Sequence, residues 1–238
     1  MTFAEKVIQF NSQVDFTGIL PAGISIMNPF KESPQAVHIT EQFYTKYYND
    51  NNKRHLILGI NPGRFGGGVT GVPFTDPKRL KSACGIDYQG RETHEPSSVF
   101  IYEMIDAFGG PEEFYRHIYI NSMFPLGFTA TNAAGKEVNY NYYDSRELLN
   151  TCYNAIIENI QKQIDIGCYT DTCFCFGAGT NEKFLKKINQ EHGFFKNIVA
   201  LEHPRFIMQY KAKTKQQYID KYIAAFRSVV DVAEGMAG

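Results

Sequence analysis

Net charge is almost absent from this chain. Its 238 residues carry 24 Lys and Arg against 25 Asp and Glu, a formal balance of −1 at pH 7. That disfavours a protein that coats nucleic acid by bulk charge, although a local basic patch remains open. No apolar run approaches the ~20 residues needed to cross a bilayer, so no membrane partner is expected. The start, Met1-Thr2-Phe3-Ala4-Glu5-Lys6, lacks the basic opening and apolar middle of a secretion leader. There is no internal repeat and no low-complexity linker. The five cysteines, at 84, 152, 168, 173 and 175, are an odd number and cannot all pair within the chain. None has the C-x2-C spacing of a zinc or iron–sulfur site. The expectation is reduced thiols in a cytoplasmic protein, with no metal and no cofactor.

What is present suits a globular fold. Hydrophobic residues make up 43% and charged residues 21%, enough for a substantial core in a single domain over 1–238. Thr2 and Glu5 have capping-box spacing before an amphipathic helix over 2–10. His55–Ile60 is a short apolar run that stops at Asn61-Pro62-Gly63, a buried strand ending in a turn. A Gly-rich loop runs on to Phe74, and residues 75–96 read as polar and irregular. A helix is expected from Ser98 to Phe108, a strand at Ile118–Ile120 ending at Asn121, and a long loop over 124–143. Asp144 is positioned to cap a helix that ends near Gly167. Strands at Thr172–Phe176 and Ile198–Leu201 flank a helix from Thr180, and a last helix begins near Thr214. Short apolar strands alternating with amphipathic helices give an α/β fold with a mainly parallel four-stranded sheet.

In such sheets ligands sit outside the carboxyl ends of the strands. Three of these ends carry a polar residue: Asn61, Asn121 and His203. The loop 59–74 has no Lys-Ser or Lys-Thr pair and is not a phosphate loop. It reads either as a plain Gly-rich connection or as a pocket wall closed by Phe74. Asn121 offers an amide that both donates and accepts, which suits a pyrimidine edge, or it caps a turn. His203 is structural, or it donates to an oxygen that gains charge. The stretch 205–215 holds Arg205, Lys211, Lys213 and Lys215 with Phe206 among them and no acidic residue. It reads as a nucleic-acid grip or as a solvated helix start.

Together these segments resemble the uracil-DNA glycosylase superfamily, and within it the single-strand-selective monofunctional uracil-DNA glycosylase branch. The first motif is Gly59-Ile60-Asn61-Pro62-Gly63, then Phe65-Gly66, then Thr70-Gly71-Val72-Pro73-Phe74. Asn121 with Pro125-Leu126 resembles the base-reading segment, one residue longer before the proline, and His203-Pro204 resembles the second catalytic motif. The resemblance implies a three-layer α/β/α fold and a monofunctional glycosylase. Such an enzyme draws uracil, or a related deaminated base, out of DNA and hydrolyses its glycosidic bond. It implies that Asn61 positions water and that His203 stabilises charge on O2. Phe74 would stack on the base, Ile60 and Gly63 would line its pocket, and Asn121 would read its edge. Arg205, Phe206, Lys211 and Lys213 would contact DNA. The chain would act as a monomer, associated with the nucleoid of a bacterial-type cell. After His203-Pro204 this chain has Arg205-Phe206-Ile207 where the family has a small residue, a second proline and an arginine, so the wedge residue stays open. Arg64 stands where a proline is expected, and Gly67-Gly68 loosen the loop, so base preference stays open too. The missing aspartate in the first motif implies slower chemistry than the superfamily's most potent branch. Two other functions fit the same crevice: a hydrolase or transferase of free nucleosides or nucleotides, and a non-catalytic nucleic-acid-binding module.

Overall fold

The structure is a computed structural model whose described residues are 1–90 and 92–235, with side chains described to Asp231. The chain opens with α1 (Phe3–Gln13), β1 (Ile24–Met27), α2 (Pro29–Glu32), α3 (Pro34–Tyr48) and β2 (His55–Gly59). It continues through α4 (Gly67–Thr70), α5 (Pro77–Cys84), α6 (Pro96–Phe108), α7 (Pro111–His117), β3 (Ile118–Ser122), β4 (Gly127–Thr131) and β5 (Glu137–Tyr140). It closes with α8 (Arg146–Gly167), β6 (Thr172–Phe176), α9 (Thr180–His192), β7 (Asn197–Leu201), α10 (Pro204–Tyr210) and α11 (Lys215–Gly235).

The central sheet has the order β3-β2-β6-β7, with every pairing parallel. Strands β2, β3 and β6 are buried at every residue, as expected where helices cover both faces. Register decides which side chains share a face. Gly59 pairs with Ser122, and Ile57 with Ile120 and Phe174; Leu58 pairs with Asn121 and Cys175. The first set, with Phe176, faces α11: Phe174 meets Phe226 at 4.8 Å and Phe176 meets Tyr222 at 5.2 Å between ring centroids. The second set, with Tyr119, faces α1 and α3: Tyr119 meets Phe3 at 5.3 Å and Tyr44 at 6.4 Å. Helices α6, α10 and α11 pack together on one side, and α1, α3 and α8 on the other. This is the three-layer α/β/α sandwich with a four-stranded parallel sheet. All five cysteines are free and buried.

Local signals behave as their chemistry dictates. Thr2 and Glu5 form the capping box, with Glu5 Oε2 accepting from the Thr2 amide at 2.8 Å. The expected long loop over 124–143 is instead β4 and β5, an antiparallel hairpin that continues onto β1 in the order β1-β4-β5. Its turn is set by Asn132, whose Oδ1 accepts from the amides of Ala134 and Lys136. The partner strand β1 lies about a hundred residues earlier in the chain, a pairing that local pattern does not reveal. Within 75–96, Asp76 caps α5 by accepting from the Arg79 amide at 2.8 Å. Ser145, not Asp144, caps α8, and α6 begins at Pro96, two residues before Ser98. Thr214 closes a 3₁₀ turn, and α11 starts one residue later.

Candidate active site

The loop after β2 and the residues that follow β7 line a cavity of about 120 Å³. Six residues expected from the sequence line it: Ile60, Asn61, Gly63, Phe74, His203 and Arg205. They come from the end of β2 and the loop between β2 and α5, from the turn after β7, and from the start of α10. The remaining expected residues lie elsewhere. Phe206 and Tyr210 form an exposed ring pair on the outer side of α10, 5.4 Å apart. Lys211 and Lys213 follow α10 at the surface, outside the cavity lining.

Asn121 is the other departure. Its side chain is on the α1–α3 face of β3, where Nδ2 donates to the Tyr119 hydroxyl at 2.7 Å and Oδ1 accepts from the Ser122 amide at 2.8 Å. The pleat turns consecutive side chains to opposite faces. Ser122 therefore shares the face of Gly59, and Ser122 lines the cavity where Asn121 does not.

Phe74 has φ 54°, the left-handed region that a bulky side chain rarely enters. The conformation lays its ring over Gly59, where a Cβ would stand 3.0 Å from Cε2. The ring meets Phe176 edge-on at 5.5 Å and His203 at 5.7 Å. A glycine at 59 thus gives the ring its seat.

Asn61 is held at both ends of its amide. Nδ2 donates to the Tyr140 carbonyl and Oδ1 accepts from the Tyr142 amide, each at 3.1 Å. Each end keeps one further hydrogen-bonding direction. His203 caps α10, with Nδ1 accepting from the Arg205 amide at 3.1 Å. That bond leaves the proton of the neutral ring on Nε2. Burial pushes the imidazole down to about 4, and Arg205 adds to the shift. His203 is therefore a neutral N–H donor at pH 7.

Two further wall residues were not singled out from sequence. Asn139, on β5, accepts from the Arg64 amide at 3.0 Å and stands beside Gly63. Glu95, just before α6, turns its carboxyl onto the loop, and burial and the neighbouring Asp76 push it up to about 7 against the pull of Arg205. Strand parity could have found Ser122. Nothing local marks Glu95 or Asn139. Among the described residues no group of three His, Cys, Asp or Glu gathers as a metal site.

An aromatic seat, a neutral N–H donor and an immobilised amide around so small a space suit a flat heteroaromatic ring bearing carbonyls. A model of the Uracil DNA glycosylase superfamily matches residues 45–227, which contain all three of these groups.

The chain belongs to that superfamily.

This superfamily member is similar to the crystal structure of wild-type Pedobacter heparinus SMUG2, at 65% identity and a TM-score of 0.95, covering 97% of this chain and 99% of that one. It is also 26% identical over 182 residues to the single-strand selective monofunctional uracil-DNA glycosylases of Rattus norvegicus and Mus musculus. Those matches take in 67% of this chain, and the chain spans 62% of the length of these two relatives.

Proposed function

We propose that this chain is a monofunctional DNA glycosylase that hydrolyses the N-glycosidic bond of uracil, or a related deaminated base, in DNA. The observation that carries the reading is the meeting of Asn61, Phe74 and His203 in one cavity, from positions up to 142 residues apart. Superfamily membership and the names of its relatives support it.

In this reading the nucleotide leaves the helix and its base enters the cavity. Phe74 stacks on the base. As the C1′–N bond breaks, its electron pair goes to the base, and His203 Nε2–H donates to the oxygen that gains charge. Asn61 directs a water whose oxygen bonds to C1′, while the water's proton passes to solvent. An amide is no base, but a cation-like sugar needs only a weakly activated water. Ser122 takes the position at the cavity wall that the sequence suggested for Asn121. The DNA strand runs along Arg64, Lys136 and Arg205, which line an adjoining groove, with Lys211 and Lys213 further out. Phe206 stands at 42% exposure on the same helix as Arg205, where it can enter the base stack. The chain works as one domain, supported by a single core that runs from Phe3 to Val230. We place it in the cytoplasm as a monomer; its free, buried thiols fit a reducing compartment. No helix among the described residues is long and apolar enough to cross a membrane.

The test is incubation with oligonucleotides carrying uracil, hypoxanthine or xanthine, followed by alkali. Free base and alkali-labile abasic sites are expected. Binding without release would make the chain a binding module, and turnover of free nucleosides alone would make it a nucleoside hydrolase or transferase.

A further inference from the structure

Glu95 is an acid in a place where chemistry disfavours negative charge. It lines the cavity with Asn61, Phe74 and His203, and it also lines the adjoining groove. Its carboxyl is pressed onto the first-motif loop. A Cβ on Gly66 would lie 1.9 Å from Oε2, and one on Gly63 would lie 2.9 Å from Oε1. Glycine at these two positions is what lets the acid approach. Among the described residues no group hydrogen-bonds its carboxyl oxygens, whereas its backbone amide donates to Asp76 Oδ2 at 2.9 Å.

The charges around it are mixed. Asp76 is fully buried beside it and is itself held by the Arg79 amide and guanidinium. Arg205 reaches it from α10, and His203 shares the cavity. His94 precedes it in the chain, and Arg64 and Lys136 stand along the groove. An ionised Glu95 would face a base that is gathering negative charge. A protonated Glu95 is a donor that such a base can use.

We propose that Glu95 is a further substrate-contacting residue: its neutral carboxyl donates a hydrogen bond to an oxygen of the bound base, and its ionised form opposes the base's departure as an anion. This rests on the glycosylase reading above. Burial and Asp76 push the carboxyl up to about 7, which brings the effect into an accessible range. His203, pushed down to about 4, does not titrate there.

The experiment is the single-turnover rate of base release from a uracil-containing single strand, followed from about pH 6 to about pH 8.5. Wild type is expected to lose roughly tenfold or more between about pH 7 and about pH 8.5, as a single deprotonation dictates. Glu95→Gln, which cannot ionise, is expected to stay within about threefold of wild type at about pH 6 and to vary by less than about threefold across the range. His94→Gln should keep the wild-type profile. Parallel profiles for wild type and Glu95→Gln would overturn the proposal. So would a Glu95→Gln that is slow at every pH, since that would make the carboxylate a base. If Glu95→Gln does not fold, a wild-type rate that stays flat above pH 7 overturns it alone. No base release by wild type at any pH would instead sink the glycosylase reading.

Discussion

In the proposed mechanism, charge stabilisation falls to His203. Its Nδ1 is occupied by the Arg205 amide, so the donor is Nε2–H, and burial keeps the ring neutral. Loss of one preorganised donor to a developing anion typically slows turnover by ~10²–10³. His203→Ala should show that loss in base release while circular dichroism stays that of the wild type; near-normal turnover would remove the histidine from the chemistry. Ser122 and Asn121 provide a sharper contrast. Ser122→Ala should lower kcat/KM by about three- to tenfold, the value of one hydrogen bond, and leave Tm in place. Asn121→Ala should do the reverse, because it strips the Tyr119 hydroxyl of its buried partner, at about 1–3 kcal/mol. Activity lost in Asn121→Ala with Tm unmoved would return the base-reading role to Asn121. At the strand tip expected from sequence, Ser122 and not Asn121 lines the cavity. Asn is the more suggestive residue type, but strand parity decides which side chain faces the cavity.

Among the elements, the β4–β5 hairpin shapes the site although it belongs to the smaller sheet. The end of β5 and the residues after it hold Asn61 through the Tyr140 carbonyl and the Tyr142 amide, and Asn139 on β5 holds the Arg64 amide. Gly127 opens this hairpin. A Cβ there would sit 2.3 Å from Met27 Cε and 2.7 Å from the Pro62 carbonyl oxygen. Gly127→Ala should therefore overpack the junction, at about 1–3 kcal/mol, and displace the residue next to Asn61. A drop in Tm together with a drop in turnover is expected; a variant with wild-type Tm and rate would detach the hairpin from the site. The hairpin was not legible beforehand. Its strands are five and four residues long and mix apolar with polar residues, and β4 pairs with a strand about a hundred residues earlier. By contrast, β2 and β6 declare themselves, because burial on both faces demands unbroken apolar runs.

For the whole molecule, a formal charge of −1 leaves no long-range attraction to a phosphate backbone. In the proposed function, DNA binding rests on local cations. If Lys211 and Lys213 touch phosphates, replacing both with alanine should weaken binding at low salt and reduce the slope of log affinity against log salt by roughly 1.4–1.8. An unchanged slope would confine the track to Arg64, Lys136 and Arg205. The α/β class, the parallel sheet and the meeting of Asn61 with His203 were written into the sequence alone. Strand rhythm is local, and a parallel sheet sends all its carboxyl ends to one edge. The sequence could not say that Glu95 and Asn139 complete the wall. Those outcomes depend on register, on a hairpin joined to β1, and on two glycines that admit an acid, contacts that exist only once distant segments have packed.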